Sequence, residues 1–92
     1  MSDESARLIA WEVILATESE NAYSNLLLPR KLRESSLTTR DKGFATELVY
    51  GSLRMRKLCD AFIEEVSDRE LVEIDLKLLI GIRIGVYQLK VM

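Results

Sequence analysis

Eight of the thirteen lysines and arginines lie between Arg30 and Lys57, and a basic concentration of that kind is what a polyanion would find on a chain of net charge −2. Within it, Arg40, Glu47 and Arg54 recur every seven residues, so they share one flank of a helix in the order plus, minus, plus. Two readings of that flank stand side by side. It is either a strip of ion pairs of the ordinary small worth, or a row of phosphate contacts with Tyr50 beside it. Arg54 stays open between phosphate contact and a buried pair, whereas Arg83 reads as structural.

Other chemistry is excluded. The chain has no histidine, which removes the commonest general base and metal ligand at neutral pH, so neither a Ser/His/Asp nor a Cys/His constellation can be built. The carboxylate pairs Glu64-Glu65 and Asp68-Glu70 sit in polar stretches with nothing apolar to raise a pKa, and they read as solubilising charge. Cys59 is the single cysteine, set beside Leu58, Phe62 and Ile63, and its expected role is a small buried hydrophobe. No glycine-rich phosphate cradle is present, and no cofactor or metal is expected.

The elements that must carry these residues are helical, because apolar side chains recur at helical rather than alternating spacing and only one proline interrupts the chain. A first helix is expected from about Ser5 to Glu18, with Leu8, Trp11 and Leu15 on a broad apolar face and Trp11 in the core. After a polar break at Ser19 to Ala22, a second helix must bury Leu26, Leu27, Leu28 and Leu32. Pro29 is harmless only in a first turn, so this helix is expected to start near Ser24 or Asn25, with Asn25 favoured, or else to be two pieces meeting at Leu28-Pro29. A third helix runs from Arg40 to Lys57, with Thr38 or Thr39 as N-cap and Phe44, Ala45, Leu48, Ser52 and Met55 in one apolar sector. Gly43 and Gly51 each cost about 1 kcal/mol against alanine there, which argues for a close helix neighbour. A short helix over Leu58 to Val66 offers Leu58, Ala61, Phe62 and Val66, and a bend at Ser67-Asp68 follows. The last helix is capped by Asp75 and is apolar on two sides. Leu76, Ile80, Ile84, Tyr87 and Val91 form one face, and Leu79, Ile82, Val86 and Leu89 the other. Gly81 and Gly85 read as a close helix contact.

With 92 residues, 48% of them hydrophobic, the chain suits one all-α domain. Its charge is partitioned. Residues 1–29 carry one basic side chain against five acidic, residues 30–57 eight against three, and residues 58–92 four against seven. The acidic start, MSDESARL, has no signal-peptide pattern, and Lys77, Arg83 and Lys90 would each cost about 2.5 to 3.5 kcal/mol at a bilayer centre, so a cytoplasmic, membrane-free protein is expected.

Several motifs taken together are specific: Ala6-Arg7, Ala22-Tyr23-Ser24-Asn25 with Leu28-Pro29, Arg40-Asp41 through Phe44-Ala45-Thr46-Glu47-Leu48-Val49-Tyr50-Gly51, Leu53-Arg54, and Arg83, Gly85, Tyr87, Gln88 and Leu89. By these the chain resembles the NusB-like N-terminal domain of the RsmB (Fmu/Sun) rRNA cytosine-C5 methyltransferases over nearly all its length. The resemblance implies a NusB-like bundle of about five helices, a bacterial cytoplasmic setting and RNA recognition, with rRNA as the partner and no catalysis in this chain. It also raises an antitermination-type alternative, a module that binds a ribosomal protein or a methyltransferase catalytic domain through its last helix.

The S-adenosylmethionine-binding catalytic domain of that family has no counterpart here, and Cys59 matches none of its catalytic motifs. RNA contact is expected from Arg30, Lys31, Arg33, Arg40, Lys42, Tyr50, Arg54, Arg56 and Lys57 rather than from the acidic first helix. The fold of the resemblance usually adds helices after Gly85 to Leu89, so one face of the last helix, carrying Ile80, Ile84, Tyr87 and Val91, is expected to lie uncovered and to drive homo-oligomer formation.

Overall fold

The structure, a computed structural model, describes residues 2–67 and 73–92, with side chains from Ser5 onward. The expected Asp68 part of the bend and the Asp68-Glu70 pair lie outside the described residues, as do the side chains of Asp3 and Glu4. Five α-helices follow one another: α1 Ser2–Glu20, α2 Ser24–Arg33, α3 Thr39–Arg54, α4 Arg56–Val66 and α5 Leu76–Lys90. Among the described residues there is no strand, which bears out the all-α NusB-like bundle.

Local chemistry sets the ends. Asn21, at φ 57, takes the left-handed conformation that stops α1, and the Ala22 amide reaches back to the Ala16 carbonyl at 3.2 Å. Thr38 caps α3 by accepting from the Asp41 amide at 3.2 Å, while its own hydroxyl donates to the buried Asp41 carboxylate at 3.0 Å, which fixes the capping side chain in place. Asp75 caps α5 by accepting from the Lys77 amide at 3.2 Å. α2 starts at Ser24 and runs unbroken through Pro29. Pro29 and Asn25 are both exposed, so the carbonyl that loses its amide partner can turn to water.

α1 packs most extensively on α3, with α2 against α1, and α5 crosses α1, α3 and α4. The core joins Val13 and Ile14 of α1, Leu28 of α2, Leu48 and Val49 of α3, Cys59 and Ile63 of α4, and Ile80, Ile84 and Tyr87 of α5. Trp11 is partly buried against it, and its indole N–H donates to the Lys77 carbonyl at 2.9 Å. The partner of Gly51 is Tyr87: a Cβ at Gly51 would overlap the ring of that tyrosine, which is 1% exposed.

Four expectations are corrected. Of the four leucines of α2, Leu28 alone is fully buried and Leu26 is 67% exposed, since a helix lying on one side of α1 covers a single stripe. α4 turns Cys59 and Ile63 inward and leaves Leu58, Ala61 and Val66 exposed, a rotation of about one residue from the face expected. Gly43, Gly81 and Gly85 have open space where a Cβ would stand, so none of the three marks a close helix contact. Finally, Ile80, Ile84 and Tyr87 are buried, because α1, α3 and α4 between them cover that face of α5. Of the expected self-association face only Val91 is exposed; the outward stripe of α5 is Leu78, Gly81, Gly85 and Leu89.

Candidate nucleic-acid interface

The cations of the central segment separate along α3. Arg40 and Arg54 are fourteen residues apart on one helix, about 21 Å at 1.5 Å per residue. Lys42 stays with Arg40 in the first turn of α3, while Arg30, Lys31 and Arg33 occupy the last turn of α2, so these five share the end of the bundle where α2 hands over to α3. Arg54, Arg56 and Lys57 lie at the opposite end, at the junction of α3 with α4.

At that second end Arg56 is internally neutralised, whereas Lys57 is exposed with no carboxylate within 4.0 Å among the described residues. Arg83 grips Asp60 with two hydrogen bonds, Nε to Oδ1 at 2.7 Å and Nη2 to Oδ2 at 3.1 Å, and reaches Glu18 at 3.1 Å. Arg56 donates to both oxygens of Glu18, at 3.0 and 3.2 Å. Two guanidiniums and two carboxylates thus tie α1, α4 and α5 together, with Arg83 buried as its structural reading required. Beside this network the buried Tyr87 hydroxyl donates to Glu47 Oε2. That carboxylate, with burial adding to it, holds the tyrosine above its ordinary pKa of 10.0, and the Arg54 guanidinium nearby opposes the rise. Arg54 is itself exposed and lies near Tyr87, with no carboxylate within 4.0 Å among the described residues. Burial, aided by Asp60, likewise raises the Cys59 thiol, as suits an inert core side chain.

At the α2–α3 end the picture differs. Lys31 has Glu12 at 3.5 Å, both about one-third exposed. Arg30, Arg33 and Arg40 are exposed and Lys42 half-buried, and among the described residues none of these four has a carboxylate within 4.0 Å. Tyr50 is 37% exposed on the outward face of α3 and lies between the two ends. The structure therefore brings together five of the nine expected contacts and sets Arg54, Arg56 and Lys57 apart from them. The neutralising partners Glu18 and Asp60 carried no signal in the sequence as members of a site.

No group of residues suited to hold a metal occurs among the described residues, and no described helix is long and apolar enough to cross a membrane.

The NusB family profile matches residues 4–92. A putative methyltransferase of Mycobacterium tuberculosis is 44% identical over 84 residues, covering 91% of this chain and 18% of that protein. A probable ribosomal RNA small subunit methyltransferase B of Synechocystis is 31% identical over 94% of this chain and 19% of its own length, and one of Bacillus subtilis is 38% identical over 70% and 14%. The chain thus spans less than one-fifth of the relatives it matches. No solved structure matches it. The five-helix bundle, the profile and these relatives agree: the chain belongs to the NusB family, as a NusB-like domain of the kind found in the RsmB (Sun) rRNA methyltransferases.

Proposed function

We propose that this chain is a non-catalytic RNA-binding module, acting on rRNA in the cytoplasm beside a methyltransferase catalytic unit. The observation that carries the reading is the un-neutralised cluster of Arg30, Arg33, Arg40 and Lys42 where α2 meets α3. Cations with no internal carboxylate release counterions when they meet phosphate, which is the sequence-independent part of RNA affinity. Lys31 can join by leaving a weak pair with Glu12, and Tyr50 offers an aromatic face for a base. Arg54, Arg56 and Lys57 form at most a secondary contact.

Fluorescence-anisotropy titration of a small-subunit rRNA fragment at two salt concentrations tests this. The doubly substituted Arg33→Glu, Arg40→Glu chain should bind at least about tenfold more weakly, with a shallower salt dependence by about two phosphate contacts. Circular dichroism checks that it is still folded. Unchanged affinity in the folded variant would overturn the reading. The antitermination-type alternative, in which the module binds protein, is favoured by the apolar surface that α5 leaves open.

A further inference from the structure

The outward side of α2 joins aromatic, aliphatic and cationic side chains in one row. At about 100° per residue Tyr23, Leu26, Pro29, Arg30 and Arg33 fall within about 120° of one another, opposite the buried Leu28, and all are exposed. Tyr23 is 72% and Leu26 67% exposed. A single apolar side chain in water is ordinary, but here an aromatic ring and a leucine adjoin at i, i+3 and lead into two arginines. From Tyr23 to Arg33 the row is about 15 Å long at 1.5 Å per residue.

The ring is carried on a fixed backbone. The Ala22 amide is tied to the Ala16 carbonyl at 3.2 Å, and the Tyr23 carbonyl accepts from the amides of Leu26 and Leu27 at 3.0 and 2.9 Å, while the tyrosine side chain makes no capping bond. No backbone ordering is then needed when a flat partner settles on the ring. Beside the row, Pro29 offers no amide to the Asn25 carbonyl, which leaves an exposed acceptor for the edge of a base. No acidic residue lies between Ser24 and Arg33; Glu20 and Glu34 stand beyond the two ends of α2. A partner for the row must therefore carry negative charge toward Arg30 and Arg33 and a flat face toward Tyr23. An unpaired nucleic-acid strand has both, whereas a duplex hides its base faces inside the stack.

We infer that the outward row of α2 is a base-stacking platform for unpaired RNA, on which Tyr23 and Leu26 take base faces while Arg30 and Arg33 hold phosphates of the same strand. Resting on the RNA reading of the α2–α3 cluster, this platform adds a second kind of contact to it. The cluster supplies charge, and the row distinguishes an open strand from a paired one.

Anisotropy titration of the full chain with three probes of one length tests this: an unpaired strand of small-subunit rRNA sequence, that strand annealed to its complement, and a sugar–phosphate strand without bases. The unpaired strand should bind at least about tenfold more tightly than the baseless one, and Tyr23→Ala should remove most of that difference while leaving affinity for the baseless strand and the salt dependence unchanged. Tyr23→Phe, which keeps the face of the ring, should bind as the unsubstituted chain does. At 72% exposure the ring packs on little, so circular dichroism of both variants should be unaltered. The platform is overturned, with the α2–α3 cluster standing, if Tyr23→Ala binds the unpaired strand normally while the Arg33→Glu, Arg40→Glu chain does not, or if Tyr23→Ala weakens duplex and unpaired strand equally. No RNA binding at low salt would overturn both and leave the row to an anionic protein segment.

Discussion

The two ends of α3 carry the same kinds of residue and use them differently. Where α3 meets α4, Arg56 and Arg83 close on Glu18 and Asp60, and Arg54 lies near Tyr87, which leaves Lys57 as the cation there with neither kind of partner among the described residues. Where α2 meets α3, Arg30, Arg33, Arg40 and Lys42 have no carboxylate within 4.0 Å among the described residues. A run of basic residues in sequence therefore says little about which of them are available. Availability is decided by carboxylates that fold in from a distance: Glu18 is 38 residues from Arg56 and 65 from Arg83.

The contrast breaks most easily at Arg83. Its side chain and those of Glu18 and Asp60 are all less than one-fifth exposed, so Arg83→Met leaves Asp60 without its partner and Glu18 with Arg56 alone, in a poorly hydrated place. The expected cost is about 3 kcal/mol of stability in urea unfolding, with rRNA affinity of the folded protein unchanged. A cost below about 1 kcal/mol would put this network in the class of surface pairs and remove the difference between the ends. Gly51→Ala comes next, at about 2 kcal/mol, because the added methyl meets the ring of Tyr87 and that buried ring has nowhere to withdraw.

A finer test compares single neutral substitutions at the two ends by anisotropy. Arg33→Gln should weaken rRNA binding severalfold, whereas Arg56→Gln, whose guanidinium is spent on Glu18, should change it less than about twofold. Equal effects would mean that the ion pair opens to admit phosphate.

The Tyr87 and Cys59 end also predicts a pH dependence. Both groups are held above their ordinary values of 10.0 and 9.0, the tyrosine by Glu47 first and the thiol by burial first. A raised folded pKa means that the unfolded chain gives up its proton earlier, so the stability these groups contribute is complete below about pH 9 and is lost as pH rises through the folded values. Urea midpoints should fall above pH 9, and less steeply in Cys59→Ala. A flat profile would show that both groups ionise in place.

What could be seen in the sequence was local. The Thr38 and Asp75 caps, the start of α3 and the burial of Cys59 depend on neighbours within a few residues, and they stand as expected, whereas α3 ends at Arg54 instead of running to Lys57, with Met55 between it and α4. The inward face of α4 was not legible, since Leu58 with Phe62 and Cys59 with Ile63 satisfy the same i, i+4 spacing and the placement of α3 and α5 chooses between them. The same limit applies to α5. Its two apolar faces were visible, but that α1, α3 and α4 together cover Ile80, Ile84 and Tyr87 is a tertiary fact. For the candidate interface the residue types were legible and the subset left un-neutralised was not.

The smallest expected effect separates two glycines that look alike in sequence. Gly43 and Gly51 sit eight residues apart in α3, yet Gly51 lies under Tyr87 while Gly43 is exposed, with nothing within 4 Å of the place an added methyl would occupy. Neither has a positive φ, so alanine fits the backbone at both. At Gly43 the substitution removes the entropic penalty of glycine in a helix and adds no clash, and thermal unfolding should show a gain of about 0.5 to 1 kcal/mol, opposite in sign to Gly51→Ala. Because Gly43 is one turn from Arg40 on the outward face, the same variant also reads the interface. Weaker rRNA binding despite higher stability would mean that the RNA backbone approaches α3 there, which extends the interface from the α2–α3 end along the helix toward Tyr50. Unchanged binding would confine it to that end.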